Sequence, residues 1–446
     1  MKHIVKRKDV IWGYISQFLN IASSLLLLPF VLIYLSKEEL GLWYVFTAMA
    51  GLIQLLEFGL LPTVSRFVSY VYSGATNIKY NEIPECKHGI VDKSLLNSVF
   101  YSAKKIYTRI SLLSLIAILI GGNYYLSTLN GNYNLKWIMI CWSLYGLSIT
   151  IQLYFGYYNS LLKGRGDQTE LNKIIVVTKL IFLIVGIPLL MLGHGIISLA
   201  IAAFVSVIID RVMVRRAIFT VEHSYDKKNA PMSTCNEITS HIWKSARDMG
   251  LVQLGNYFTV RAGVLIVSSF VGLEAAASYG LTVQITIVIV IVASMLFGLN
   301  LPRLNAEQAL GNKKTIVGIV VKSLSIANGI YILSAIFLIL FGNYFLSFFT
   351  KHTQLLETYL LILYLITAMF EMNYSICASY LTTKNKVVFL KSMLISGISI
   401  FLLSLCSSAI FKCGVLGVIA SQLFVQMAYN NWKWPLEVYR DLKNAN

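Results

Sequence analysis

One apolar run of the sequence contains an arginine. Arg261 lies near the middle of GLVQLGNYFTVRAGVLIVSSFVG, residues 250–272, where burying an ion in a bilayer is costly. Gln253, Asn256 and Tyr257 precede it at spacings that place the four side chains on one side of a helix. A guanidinium at that depth needs an anion or an acidic partner. Arg261 therefore either binds an anion in a central cavity or forms a structural ion pair.

Two acidic residues, Glu57 and Glu371, also fall at membrane depth. Each is a candidate for coupling to protons or Na⁺, and each is alternatively an ion-pair partner for Arg261 or Lys179. Lys179 lies about six residues into the fifth apolar run, which is about 9 Å of helix at 1.5 Å per residue. Its ammonium group either faces the cavity or extends to the cytoplasmic surface.

The first apolar run carries a second polar stripe. Gln17, Asn20 and Ser24 recur at helical spacing within it. Amides and hydroxyls in a membrane helix either hydrogen-bond to neighbouring helices or line a hydrophilic cavity. Both interpretations remain open for these residues.

The composition defines the fold class. Of 446 residues, 57% are hydrophobic and 13% are charged, and long apolar runs recur from end to end. An outer-membrane barrel would show short alternating segments instead. The sequence predicts an all-α polytopic membrane protein with twelve spans. The seventh span is predicted at Met249–Val271 and the twelfth at Val415–Trp434.

Basic residues alternate between successive connections. One side holds nearly all of them, and the other side has Lys37, Lys136, Lys351 and Lys412. The positive-inside rule then places both termini in the cytoplasm. It also places Cys86 and Cys235 in the cytoplasm, and positions 130 and 351 outside. The cytoplasmic mouth is predicted to carry a basic collar, which binds anionic lipid and attracts an anionic headgroup. Its members are Arg66, Lys163, Arg165, Arg211, Arg215, Arg216 and Arg303.

The chain divides into two similar halves. Residues 1–220 are predicted to form one six-helix lobe, 221–248 a cytoplasmic linker, and 249–446 a second six-helix lobe. Gln17 and Asn20 match Gln253 and Asn256 at a common offset, and an even number of spans keeps the halves in the same orientation. This pattern predicts a parallel repeat with a site between the lobes.

No motif of an enzyme is present in the sequence. There is no Walker A sequence, no HExxH, no G-x-S-x-G and no Asp-rich Mg²⁺ motif. The six cysteines have no metal spacing, so we expect neither a metal nor another cofactor. The net charge of +17 follows membrane topology rather than a nucleic-acid surface, so no nucleic-acid partner is expected.

The segment Leu40–Gly74 resembles the second helix of polysaccharide-biosynthesis flippases. Its pattern is a GLW opening at residues 41–43, then FGL at 58–60, Thr63 and Arg66. The proteins it resembles are Wzx-type O-antigen transporters of the multidrug/oligosaccharidyl-lipid/polysaccharide (MOP) superfamily. The resemblance extends over the full length, through the number of spans and the YYNSLLKGRGD exit of the fourth span. It implies a MOP/MATE-like fold.

The resemblance also implies a function. Such flippases move undecaprenyl-pyrophosphate-linked oligosaccharide across the bacterial inner membrane by alternating access, in O-antigen and lipopolysaccharide biosynthesis. Cationic cavity residues face the diphosphate and sugars, which here implicates Arg261 and Lys179, with Gln17, Asn20, Gln253, Asn256 and Tyr257 beside them. Arg66 and Arg303 would lie at the cytoplasmic mouth. Membrane lipids, a polysaccharide polymerase and a chain-length regulator are the implied partners.

Two alternatives differ in class. A MATE-like ion-coupled drug antiporter has the same architecture, but such proteins favour acidic cavities, whereas the deep cations here favour an anion. An integral-membrane polysaccharide polymerase needs large outer loops, and the outer loops here are short.

Overall fold

The computed structural model is helical throughout its regular structure. It describes residues 7–57, 59–78, 91–129, 131, 133–220, 231–310, 312–350, 352–383 and 389–443. Long apolar segments form helices in lipid because each backbone N–H and C=O group must find its partner within the segment. The predicted all-α membrane architecture is confirmed. Of the positions used to predict topology, Cys86, Asn130 and Lys351 lie outside the described residues.

The helices of the first half of the chain are named in order. They are α1 (Arg7–Tyr34), α2 (Lys37–Gln54), α3 (Leu60–Tyr72), α4 (Lys93–Ile116), α5 (Asn123–Thr128), α6 (Leu135–Tyr154), α7 (Gly156–Arg165), α8 (Gln168–Met191) and α9 (Ile197–Phe219). A 3₁₀ turn at Leu55–Glu57 follows α2, and a π-helical segment at Ala117–Gly122 joins α4 to α5. Gly59 sits before α3 with φ 68°, a conformation that glycine adopts without strain. The glycine of the FGL pattern thus marks the break in the second predicted span.

The second half is named in the same way. Its helices are α10 (Met232–Val260), α11 (Ala262–Phe270), α12 (Leu273–Leu310), α13 (Lys313–Ser347), α14 (Thr358–Thr382), α15 (Leu390–Ala409), α16 (Gly414–Ala428) and α17 (Asn430–Lys443). The predicted linker, residues 221–248, is helical from Met232 onward, and residues 221–230 lie outside the described part. Ile238, Ile242 and Ala246 are buried at i, i+4 and i+8, an apolar stripe among polar neighbours that explains the helix.

Ten helical stretches in the described residues are long and apolar enough to cross a membrane. The two predicted spans that are not among them are the seventh and the twelfth. Each is interrupted by one residue with a distorted backbone: Arg261, with φ −111° and ψ −29°, and Tyr429, with φ −145° and ψ −62°. On their own, α11 has 9 residues and α16 has 15, which is too short to qualify, and α10 has 29 residues but is rich in polar side chains.

The chain forms two compact units. Unit 1 comprises Met1–Leu35, Met49–Thr128 and Asn132–Gln253, and unit 2 comprises Ser36–Ala48, Leu129–Gly131 and Leu254–Asn446. In unit 1, α8 packs between α1 and α9, while α6 contacts α4 and α9. In unit 2, α12 packs against α11, α13 and α14, and α14 contacts α17. The predicted lobe boundaries stay a prediction, and the first part of α2, up to Ala48, belongs to unit 2.

A buried tryptophan illustrates how the core of unit 1 satisfies its polar groups. Trp142 is fully buried, and its Nε1 donates to the Ile118 carbonyl at 3.0 Å. Ile118 lies in the π-helical segment, where the regular backbone hydrogen bonding shifts. In unit 2, Asn328 and Asn373 exchange two side-chain amide hydrogen bonds of 2.8 Å between α13 and α14.

Candidate functional site

Arg261 lies at the break between α10 and α11. Its backbone N–H still donates to the Tyr257 carbonyl at 2.8 Å, so the interruption is confined to one residue. The side chain is exposed in the protein, and no ion pair of Arg261 is found in the described part of the chain. In particular, it forms no ion pair with Glu371, although both lie in unit 2. The guanidinium is therefore free to bind an external anion.

The polar neighbours of Arg261 on α10 differ in availability. Gln253 and Asn256 are exposed. Tyr257 is only 5% exposed, and its hydroxyl donates to the Ala48 carbonyl at 2.9 Å. The amides can thus contact a ligand as the protein stands, whereas the Tyr257 hydroxyl has an intramolecular acceptor.

In unit 1, the packing of α1 against α8 brings three of the predicted residues onto two adjacent helices. The Ser16 hydroxyl donates to Asn172 Oδ1 at 3.1 Å and fixes the register of the pair. Gln17 and Asn20 are exposed on α1. Lys179 lies about 10 Å further along α8 than Asn172, at 1.5 Å of rise per residue. It is partly buried, and no hydrogen bond or ion pair of its ammonium group is found among the described residues.

Glu57 has its own partners inside unit 1. The Tyr107 hydroxyl donates to Glu57 Oε1 at 2.9 Å, and Arg211 lies within electrostatic range of the carboxylate. Arg211 is 7% exposed, pairs with Asp210, and donates from Nη1 to the Phe155 carbonyl at 3.2 Å. Phe155 separates α6 from α7. The hydrogen bond from Arg211 therefore satisfies a backbone carbonyl at the break between these helices.

Two members of the predicted basic collar therefore point inward. Arg211 is buried as described. Arg165 pairs with Asp167 and donates from Nη2 to the Ala217 carbonyl at 3.0 Å, near the end of α9. Both arginines tie α9 to the α6–α7 region. The sequence pattern missed this because the positive-inside rule places cations at span ends without telling which side of the helix they occupy.

The other predicted mouth residues are exposed. Arg66 on α3 and Arg303 on α12 both have exposed side chains, and the Arg66 guanidinium lies 5.9 Å from the centre of the Phe67 ring. They are available to anionic groups.

Glu371 lies on α14. Its Oε2 is buried and has no hydrogen-bond partner among the described residues, and the same holds for the Tyr374 hydroxyl. The Asn328–Asn373 amide pair joins α13 to α14. A buried carboxylate oxygen without a partner has unused capacity to bind a proton or a cation. No group of three or more His, Cys, Asp or Glu residues suited to a metal occurs in the described ranges.

The outer part of α2 carries a stripe of contacts that sequence reasoning did not identify. Lys37, Gly41, Tyr44 and Ala48 lie at i, i+4, i+7 and i+11, on one side of the helix. Lys37 Nζ is 3.0 Å from Glu274 Oε2.

Further along the stripe, contacts are closer. The Tyr44 hydroxyl donates to Gln284 Oε1 at 2.7 Å, and a Cβ on Gly41 would overlap the Leu273 carbonyl. A glycine inside a helix, where it lowers stability, was the available sequence signal for this close approach.

A cavity of about 720 Å³ adjoins the Lys37–Glu274 pair in unit 2. Its polar lining includes Glu38, His352 and Glu357. None of the residues predicted to contact the cargo lines this cavity. It is therefore distinct from the surroundings of Arg261.

Comparison with solved structures shows which fold these elements form. A multidrug-resistance MATE-family transporter of the MOP superfamily, in an inward-facing conformation, aligns over 98% of this chain and 99% of its own, with 14% identity and a TM-score of 0.74. An outward-facing structure with the same family description aligns over 98% and 94%, with 14% identity and a TM-score of 0.60. The chain has the same fold as these transporters.

A third solved structure is described by the polarity of its binding pocket. A MOP-superfamily transporter from Pyrococcus furiosus, described by the reverse polarity of its binding pocket and a different function suggested by it, aligns over 98% of this chain and 94% of its own. The identity is 14% and the TM-score is 0.58. No protein-family model and no curated protein sequence matches the chain. The structural likeness confirms the predicted MOP/MATE-like architecture and leaves the cargo to be argued from the residues.

Proposed function

We propose that the protein is a flippase for undecaprenyl-pyrophosphate-linked oligosaccharide in a bacterial inner membrane. The observation that carries the proposal is the exposed guanidinium of Arg261, which forms no ion pair in the described residues and is predicted from the sequence to lie at bilayer depth. A guanidinium can bind a diphosphate through two parallel hydrogen bonds. Leaving it without an anion at that depth would be costly, which favours a cargo that brings one.

The polar residues around Arg261 and on α1 suit the rest of such a cargo. The amides of Gln253, Asn256, Gln17 and Asn20 can donate to and accept from sugar hydroxyls. Lys179 adds a second cation for the diphosphate. Arg66 and Arg303 would raise the local concentration of the anionic headgroup at the cytoplasmic mouth. The lipid tail would remain in the bilayer during transport.

The membrane potential can supply energy for this transport. Moving a net charge of −2 outward across about 100 mV, inside negative, is favourable by roughly 4.6 kcal/mol. A coupled ion is therefore not required by the energetics. We propose alternating access as the mechanism, with the polymerase and the chain-length regulator acting after the cargo has crossed.

The test uses purified protein in liposomes. A fluorescent undecaprenyl-pyrophosphate-linked oligosaccharide would be placed in both leaflets, and its exposure measured with a membrane-impermeant glycosidase added outside. Active protein should make the whole pool accessible, whereas protein-free liposomes should leave about half protected. If the protected fraction persists with folded protein under an imposed potential of either sign, the flippase proposal is wrong.

The orientation belongs to the same proposal. Cys235 is expected to be cytoplasmic, and a cysteine placed at position 351 is expected to be outside. In intact spheroplasts, an impermeant thiol reagent should label the variant at 351 and spare Cys235. Labelling of Cys235 alone would reverse the proposed topology.

A second candidate function is a MATE-like ion-coupled antiporter. The buried Glu371 Oε2, without a partner in the described residues, favours it, as does the multidrug description of the solved neighbour. Glu57 is the other candidate coupling residue. An antiporter should export a cationic dye such as ethidium in exchange for protons or Na⁺, and Glu371→Gln should abolish that exchange. Dye transport without movement of the lipid-linked glycan would select this function.

A further inference from the structure

The last described helix, α17, begins at the end of the predicted twelfth span. Only Tyr429 separates α17 from α16, which has 15 residues. At 1.5 Å per residue α16 is about 22 Å long, shorter than the roughly 30 Å hydrocarbon core of a bilayer. A membrane-crossing α16 would therefore place the first turn of α17 at the depth of the headgroups or just beneath them.

One face of α17 is fixed to unit 2. Trp434, Val438 and Leu442 are buried at i, i+4 and i+8, with exposures of 5%, 2% and 9%. The Tyr380 hydroxyl on α14 donates to Asp441 Oδ2 at 2.6 Å. These contacts determine how α17 is rotated about its axis, and hence which residues point away from the protein.

The exposed residues of α17 form an aromatic and basic stripe. Trp432, Tyr439 and Lys443 are exposed at i, i+7 and i+11, and the half-buried Leu436 lies on the same line of the helix. Trp432 is 50% exposed and Tyr439 is 61% exposed. Arg440 lies beside this line and is exposed.

The cations of α17 differ in their availability. Lys433 Nζ is 3.4 Å from Glu437 Oε2, one helical turn away. No ion pair of Arg440 or Lys443 is found within the described residues. These two side chains can therefore neutralise an external anion.

We infer that α17 lies in the headgroup layer of the bilayer and binds anionic phospholipid headgroups through Arg440 and Lys443, with Trp432 and Tyr439 as interfacial anchors. Indole and phenol rings are favoured at the headgroup level, where an apolar ring and a polar group are both satisfied. Lysine and arginine near an anionic surface are attracted to phosphate. A water-facing helix would gain nothing from exposing Trp432 and Tyr439, and the predicted twelfth span, at whose end α17 begins, brings this helix close to the bilayer.

The depth of the helix can be measured directly. In a variant without native cysteines, a nitroxide would be attached at Tyr439→Cys or, as a matched control on the other side of α17, at Glu437→Cys. In bilayers containing phosphatidylglycerol, the label at 439 should collide more with oxygen than with a water-soluble nickel chelate, and the label at 437 should show the reverse. Equal nickel access at both positions would overturn the interfacial placement.

The headgroup preference needs a second measurement. Phosphatidylglycerol and phosphatidylcholine retained by the detergent-solubilised protein would be counted by native mass spectrometry. Arg440→Gln/Lys443→Gln should weaken the preference for phosphatidylglycerol by about fivefold per charge at low salt, with a smaller effect at high salt.

The control for that experiment removes the same charge elsewhere. Lys314→Gln/Lys322→Gln changes two exposed lysines of α13 and should leave most of the preference intact. Melting temperatures of both variants should match the parent protein, because all four side chains are exposed. An equal loss in the two variants, or no loss in either, would refute the assignment to Arg440 and Lys443.

Discussion

Replacing Arg261 separates the two interpretations of its role. If it grips the cargo diphosphate with two charge-assisted hydrogen bonds, Arg261→Ala should lose about 3 kcal/mol of binding, at the lower end for such bonds. That corresponds to about 150-fold weaker apparent affinity. Arg261→Lys keeps the charge and one contact, so it should lose about half that free energy, or about 12-fold.

The same substitution should barely change the stability of the protein. Arg261 is exposed and forms no ion pair within the described residues. Replacing it with alanine therefore leaves no acidic side chain without its partner. Surface substitutions of this kind change the free energy of unfolding by roughly 0.5 kcal/mol or less. Protein level and melting temperature should therefore remain close to those of the parent.

The assay is the liposome transport measurement as a function of cargo concentration. Arg109→Ala is a matched control, since it removes another exposed arginine, on α4, outside the proposed site. It should retain transport. A normal protein level with no transport in Arg261→Ala alone would fit the headgroup contact.

A double-mutant cycle provides the refutation. Arg261→Ala is combined separately with Glu57→Gln and with Glu371→Gln, and protein level and transport are both scored. If Arg261 only neutralised an acid, the neutral pair would restore what the single variant lost. Rescue of transport by either pair would therefore refute the anion-binding role.

Two further predictions concern structural features. Gly41→Ala should lower the free energy of unfolding by about 1–3 kcal/mol, because the added Cβ would overlap the Leu273 carbonyl. Gly121→Ala is the control and should not lower it, because nothing lies within 4 Å of the added Cβ. Thermal unfolding in detergent compares the two variants. If Gly41→Ala melts at the parent temperature, the close packing of α2 in unit 2 is wrong. Arg211→Ala should destabilise the protein by about 3–5 kcal/mol, since it leaves Asp210 without its buried cation. Arg216→Ala, on the exposed side of α9, is the control and should have little effect on the same measurement. Equal melting temperatures for those two variants would show that Arg211 is not a structural cation.

Much of the fold follows from local physical chemistry. Long apolar runs predict membrane helices because lipid offers no hydrogen bonds to an open backbone. The break at Gly59 has a local cause, since a positive φ is easy for glycine. The interruptions at Arg261 and Tyr429 have no such local signal. Neither residue is a strong helix breaker, so those breaks depend on tertiary packing.

The sequence indicates which charged residues of the candidate site lie within apolar runs, but it does not indicate which partners they contact. An arginine in an apolar run is visible in the sequence, and its exposure agrees with a ligand-binding role. Burial of Arg211 was not predictable, because a cation at a span end fits either a lipid-facing or an inward position. The helix from Met232 was missed because its apolar stripe is narrow and follows a proline-containing polar stretch.

The contacts of the acidic residues bear on what Arg261 does. Glu57 accepts a hydrogen bond from Tyr107 and has Arg211 nearby, so its neighbours within unit 1 do not include Arg261. Glu371 forms no ion pair with Arg261. A deep arginine that neither acid neutralises is stable in a membrane only if water or an anion reaches it. In the proposed transport cycle, the cargo diphosphate would satisfy that requirement in one part and water entering the site in the rest. Arg261 would then bind and release the proposed cargo without leaving an unpaired charge in lipid.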